Sequence, residues 1–213
     1  MFRDSRIITN FLACKPDKLM KHALWEHNRR RSKLALGNVR TKNWYMWRAA
    51  FMMELKENCL LTKRLRAQKK TCRFDDFDRS IFGMRNARMV NASSKLDALE
   101  RAISKWWNEV KKYPRPESLQ IENYLKKHKH FLPMALSYQE YLSCSVDLCD
   151  DLKKERKKRR YFVQCFYSEM PERNHSLYEK GPKCSKHCFG NKDECVGGLC
   201  RVPYYQYHSN FVY

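Results

Sequence analysis

Apolar residues at Leu96, Leu99, Ile103, Trp106, Trp107 and Val110 recur every three or four positions and predict a helix beginning at Ser94. Ser94-x-x-Asp97 is a variant of the capping box at its start, and Tyr113-Pro114 stops it. An earlier helix is expected to open at Pro16-Asp17, with Asp17 as N-cap and Gly37 placed to end it. After a polar and aromatic connector over residues 38–48, a further helical segment is expected from about Ala49 to Lys70. Leu142–Val146 and Tyr161–Tyr167 are rich in β-branched and aromatic residues and read as neighbouring strands. Between Tyr113 and Lys129 the chain is polar and basic with two prolines, which predicts loop and one helical turn.

The tail has a different logic. Four cysteines, Cys184, Cys188, Cys195 and Cys200, fall within seventeen residues that carry almost no apolar core. So small a piece needs cross-links or a metal to hold one shape. The spacings lack the paired C-x2-C hooks of a zinc ribbon, so disulfides are preferred over zinc, although His187 lies beside Cys188. Spacing does not choose the connectivity.

Charge and cysteine content narrow the class. The 213 residues suffice for one domain with a sizeable core and a small appendage. A net charge of +21 favours polyanions in general. Ten cysteines argue for an oxidising compartment, hence against a nucleic-acid partner in nucleus or cytosol. The sequons at Asn91 and Asn174 point the same way. No apolar run is long enough to span a membrane. No signal peptide is legible either, because Thr9, Asn10 and Lys15 interrupt the apolar start, so the expectation is an extracellular chain with a trimmed or truncated beginning.

Several motifs occur in an order that carries a resemblance. His27 to Gly37 reads HNRRRSKLALG, Trp106-x-x-Glu109 lies in the Ser94 helix, and His130 precedes Met134 and Cys144 at fixed spacing. Cys165-Phe-Tyr-Ser, Asn174 and then LYEKG-x-x-C close the series. Together these resemble the CAP superfamily, in particular the secreted venom-allergen-like and activation-associated proteins of nematodes. The resemblance implies an α+β fold, a three-layer α-β-α sandwich around an antiparallel sheet with a short disulfide-rich tail. It implies a domain over residues 14–175, a tail over 176–203 and an extension over 204–213. The pairing implied is Cys14–Cys59, Cys72–Cys149 and Cys144–Cys165, with two bridges among the tail cysteines.

The resemblance also locates a central cleft. Relatives offer two His and two Glu there, often to a divalent cation; the matching positions here are Asp76, Arg85, Glu109 and His130. No Glu or His lies between Cys72 and Asn86, so half of the ligand set is replaced and Arg85 adds a fixed positive charge. No cofactor is therefore expected, and Arg85 is expected to stand near Glu109 and Asp76. By spacing alone Glu109 reads as an ordinary exposed helix residue, and one of the histidines at 128 and 130 as a surface residue. His27, Asn28 and Arg31 belong, by the same resemblance, mainly to the fold. No nucleophile with a matched base is recognisable. The expected function is binding without catalysis, with an extracellular protein or a sulfated glycan as partner. A carrier of sterol or fatty acid is the alternative, and a protease-like enzyme a further one. Seven of the eight residues from Lys153 to Arg160 are basic, and Lys153, Lys154, Lys157, Lys158, Arg159 and Arg160 are the candidates for polyanion contact at the tip between the two strands.

Overall fold

The computed structural model describes residues 15–67, 72, 83–125, 127–150, 159–171, 174–186, 188 and 194–201. Helix α1 spans Lys18–Ala35. Its start is capped by Asp17, whose Oδ1 accepts from Met20 N at 2.8 Å. At its end Gly37 takes φ +74°, while Asn38 N donates to Lys33 O and Gly37 N to Leu34 O, the paired bonds of a Schellman stop. The chain groups into two units, and α1 gives its first half to one and the stretch from His27 to the other.

The first unit comprises residues 1–26, 55–106 and 141–170. Its sheet has the order β1-β3-β4-β2, with β1 Lys56–Glu57, β2 Met84–Ala92, β3 Tyr141–Asp150 and β4 Arg159–Tyr167. β4 pairs antiparallel with both neighbours, whereas β1 runs parallel to β3, so the sheet is mixed rather than wholly antiparallel. Tyr161 to Tyr167 are all buried, the signature of a strand covered on both faces. Cys144 faces Cys165 in the register and the two are joined by a disulfide. Cys72 is bonded to Cys149. Cys59 is also in a disulfide, and Cys14, its expected partner, lies outside the described residues.

Helix α2, Cys59–Ala67, lays Leu61 and Leu65 against Phe166, and Thr62 Oγ1 meets Ser143 Oγ at 3.1 Å. Its Lys63, Arg64 and Arg66 are exposed, as a charge run on a solvated face should be. The helical expectation from about Ala49 to Lys70 holds over Cys59–Ala67 and fails before it. Ala49 to Leu55 is non-helical and largely buried, with isolated bridges at Ala49 and Met53, and Ala50 N bonds Glu179 O while Met53 N bonds Ser137 O. Burial of both edges of this apolar run outweighed the helix-forming tendency of AAFMM. Helix α3, Lys95–Trp107, follows its predicted stripe, with Leu99, Ile103 and Trp106 buried. Asp97 N donates to Ser94 Oγ, and the carboxylate reaches back to Ser93 N instead of the cap residue's own N–H. The Ser93 bond, then Arg101, lowers that carboxyl to about 2.

The second unit comprises residues 27–54, 107–140 and 171–213. A 3-10 segment, Asn108–Lys112, leads to the single turn α4, Glu122–Leu125, and the short helix α5, Phe131–Ala135. Its tail forms the hairpin β5 Cys195–Val196 and β6 Leu199–Cys200, turning at Gly197-Gly198. Cys184–Cys195 and Cys188–Cys200 are disulfides, and Cys200 bridges to Met53. The helix residues beneath are small for a reason: Ser32 Oγ donates to Gly197 O at 2.6 Å, and a side chain on Gly198 would touch Ala35.

Candidate functional site

Arg31 organises the interior of the second unit. It is fully buried, and its guanidinium donates to the carbonyls of Met53, Met134, Leu136 and Ser137 at 2.8–3.1 Å. A planar fork of five donors suits several carbonyls converging from two stretches of chain, which a Lys ammonium would not span. Arg31 thereby fixes the turn after α5, and α5 in turn presents His130.

At that helix start stands the pair suggested by the motifs. The chain tightens from α-helix to 3-10 turn after Trp107, and Glu109 lies in the first turn of that segment. Its Oε2 accepts from His130 N at 2.9 Å and Phe131 N at 3.2 Å, while Oε1 meets His130 Nδ1 at 2.6 Å. His130 is the N-cap of α5 but supplies no capping bond of its own; Glu109 does so from another part of the chain. Both side chains are mostly covered. Burial pushes the Glu109 carboxyl up, yet the His130 side-chain bond, its charge and the two backbone N–H groups outweigh it, and the net direction is down. Glu109 is thus not the exposed helix residue that spacing alone suggests.

His128 is not a surface residue. It is 2 % exposed, enclosed by the rings of Tyr113, Tyr124 and Phe131. Burial lowers its pKa, with Lys127 acting the same way and Glu109 opposing. Its spacing gave no sign of that burial.

Arg85 belongs to the first unit, on β2 opposite Phe166, with its guanidinium 5.7 Å from the ring centroids of Phe162 and Phe166. Asn86 beside it is buried and donates to Tyr167 Oη at 3.3 Å. Asp76 lies outside the described residues, as do Lys153, Lys154, Lys157 and Lys158. Arg159 and Arg160 are exposed but open β4, so the strand takes in the last two residues of the basic run. His27 is buried, Asn28 is half-buried, and Asn91 and Asn174 are exposed.

Among the described residues, shallow depressions open on the second unit. One, of about 410 Å³, is lined by Leu36, Met46, Trp47, Arg48, Lys180 and Pro182 among others; another, of about 430 Å³, includes Glu117, Tyr178, Glu179 and Lys180. Among the described residues, three cysteine sulfurs (Cys184, Cys188, Cys200) come close enough to share a metal, but all are spent in disulfides. No described helix is long and apolar enough to cross a membrane.

An α+β protein with a cross-strand disulfide, a helix-borne His and Arg in its interior and a disulfide-braced tail has the cysteine usage of an oxidising compartment. The model of the cysteine-rich secretory protein (CAP) family matches residues 24–166, and the chain belongs to that family. Among solved structures, the crystal structure of NaASP2 with Zn2+ is 26% identical, with a TM-score of 0.71, covering 88% of this chain and 100% of that one. The structure of BmVAL-1 is 24% identical with a TM-score of 0.73, covering 89% and 96%. Hookworm platelet inhibitor, at 18% identity and a TM-score of 0.63 over 90% and 94%, shares the fold alone. No curated protein matches.

Proposed function

We propose that this chain is a secreted binding protein that acts without catalysis and without a resident metal, on an acidic extracellular partner. The observation that carries the reading is the commitment of Glu109. Both of its oxygens accept bonds from the start of α5, and His130 spends Nδ1 on the same carboxylate. Zinc needs three or four N, S or O ligands, and the two other family positions offer Asp76 and Arg85. The residues present do not fit a tight divalent cation, and Arg85 supplies positive charge where relatives carry a Glu.

The binding side of the proposal rests on the charge of +21 and on the basic run ending in the exposed Arg159 and Arg160. Polyanion association releases counterions, so retention on heparin should fall steeply with salt, in the manner known for nucleic acids. Neutralising Lys153, Lys154, Lys157, Lys158, Arg159 and Arg160 should weaken retention and leave the fold intact. Unchanged retention would remove that loop from the function. Calorimetry with zinc checks the other half: micromolar binding abolished by His130→Ala would overturn the metal-free reading.

A further inference from the structure

We propose that the second unit carries a docking surface for a sulfated sugar chain, built from Trp44, Tyr45, Trp47, Arg48, Arg115 and Lys180. This deepens the proposed function and rests on it for the class of partner.

The surface follows from one tight turn. Thr41 Oγ1 accepts from Trp44 N at 3.1 Å, Thr41 N donates to Trp44 O at 2.7 Å, and Arg40 bridges to Tyr45. The turn directs two aromatic side chains outward, leaving Trp44 62% and Tyr45 55% exposed. Arg115 is pinned beside them, its N donating to Asn43 Oδ1 and its Nη1 to Tyr45 O. Its guanidinium lies 3.7 Å from the Trp47 ring centroid and 5.9 Å from that of Trp44. Lys180 Nζ lies 4.6 Å from the Trp47 ring and donates to Glu117 O at 3.0 Å. Aromatic and cation thus alternate from Trp44 through Arg115 and Trp47 to Lys180.

Charge decides the occupant. From Gly37 to Met53 the chain has three basic residues and no acid. The charged residues lining the 410 Å³ depression are Arg48 and Lys180. The neighbouring depression is lined by two acids: Glu179 is already engaged by Lys186, and Glu117 is exposed beside Lys180, whose Nζ bonds its carbonyl. Cations held against indole faces keep their charge available and lose little further freedom on binding. Exposed flat rings suit the C–H faces of sugars, and fixed cations suit sulfates. An open trough favours a chain over an isolated anion.

The test uses the full chain labelled with 15N, titrated with a heparin hexasaccharide while its five indole N–H signals are followed. Trp44 and Trp47 are expected to shift and Trp106 and Trp107 to stay. Trp44→Ala should weaken binding about tenfold with an unchanged salt slope, as loss of a stacking platform does. Lys180→Ala should lower the slope by about one, as loss of a single ionic contact does. Retention on heparin with both indoles unmoved overturns this site and leaves the proposed function standing. No retention and no shift overturns both. Equal shifts from desulfated hexasaccharide, or larger ones from a single-stranded oligonucleotide or a sulfotyrosine peptide, overturn the assigned occupant.

Discussion

Glu109→Gln removes one charge and keeps the shape, so it isolates what the carboxylate does. The wild-type side chain receives Phe131 N and His130 N at 3.2 and 2.9 Å and meets His130 Nδ1 at 2.6 Å. Bonds to a charged acceptor contribute ~1.5–3 kcal/mol and neutral ones ~1 kcal/mol, so the exchange should cost about 2 kcal/mol after partial screening by solvent. Glu109→Ala leaves two backbone donors at the start of α5 without their acceptor, for about 3 kcal/mol. The sign with pH follows from the lowered carboxyl. In the unfolded chain Glu titrates near ~4.3, and the folded value lies below it, so the contribution is complete above about pH 4.5 and is lost as pH falls through the folded value. Urea unfolding followed by tryptophan fluorescence, from about pH 7 down to about pH 3, gives the difference between wild type and Gln variant. That difference should be about 2 kcal/mol at neutral pH and shrink toward zero in acid. A pH-independent difference, or a Gln variant as stable as wild type, would refute the capping role.

Three further outcomes are expected. Arg31→Lys, which cannot reach four carbonyls with one ammonium, should lower stability by about 3 kcal/mol in the same assay, and a change under ~1 kcal/mol would contradict its bracing role. His128 has a folded pKa below its unfolded value of ~6.5, so its contribution is present above about pH 6.5 and lost as pH falls through the folded value; His128→Phe should flatten that part of the stability profile. Gly83→Ala should prevent accumulation of folded protein, because Gly83 has φ +102° and an added Cβ would lie 1.7 Å from Tyr167 O; normal secretion and stability of that variant would refute the steric account.

What was legible in the sequence was what short-range chemistry decides. The Leu96–Val110 stripe, the Asp17 cap and the Gly37 stop describe local preferences, and the structure keeps them. The segment expected from Ala49 to Lys70 is helical over Cys59–Ala67, but its first part failed because its helical composition was outweighed by backbone partners more than eighty residues away, at Ser137 and Glu179. Glu109 showed the same limit. Its position in W-x-x-E was readable, but its acceptors' donors sit twenty-one residues on, and spacing carries no information about that approach. The register with Met134 and Cys144 singles out His130 but says nothing of burial, and the rings of Tyr113, Tyr124 and Phe131 decide that His128 is enclosed.

Under the proposed function, the Glu109–His130 pair explains how part of a ligand set can be kept without a cation. A carboxylate that serves a metal alone becomes a buried liability once the metal goes, since nothing then offsets its desolvation. Glu109 escapes that cost because three N–H groups of its own chain occupy its oxygens. Those donors exist whether or not a metal is bound: α5 begins at His130 and must find acceptors for its first N–H groups. The pair is therefore part of the scaffold that Arg31 braces from the other end of the same helix, at Met134 and Leu136. Under the proposed function the chemistry of recognition moves outward, to cations held on aromatic faces, where an arginine or lysine acts on a partner without first displacing a neighbour.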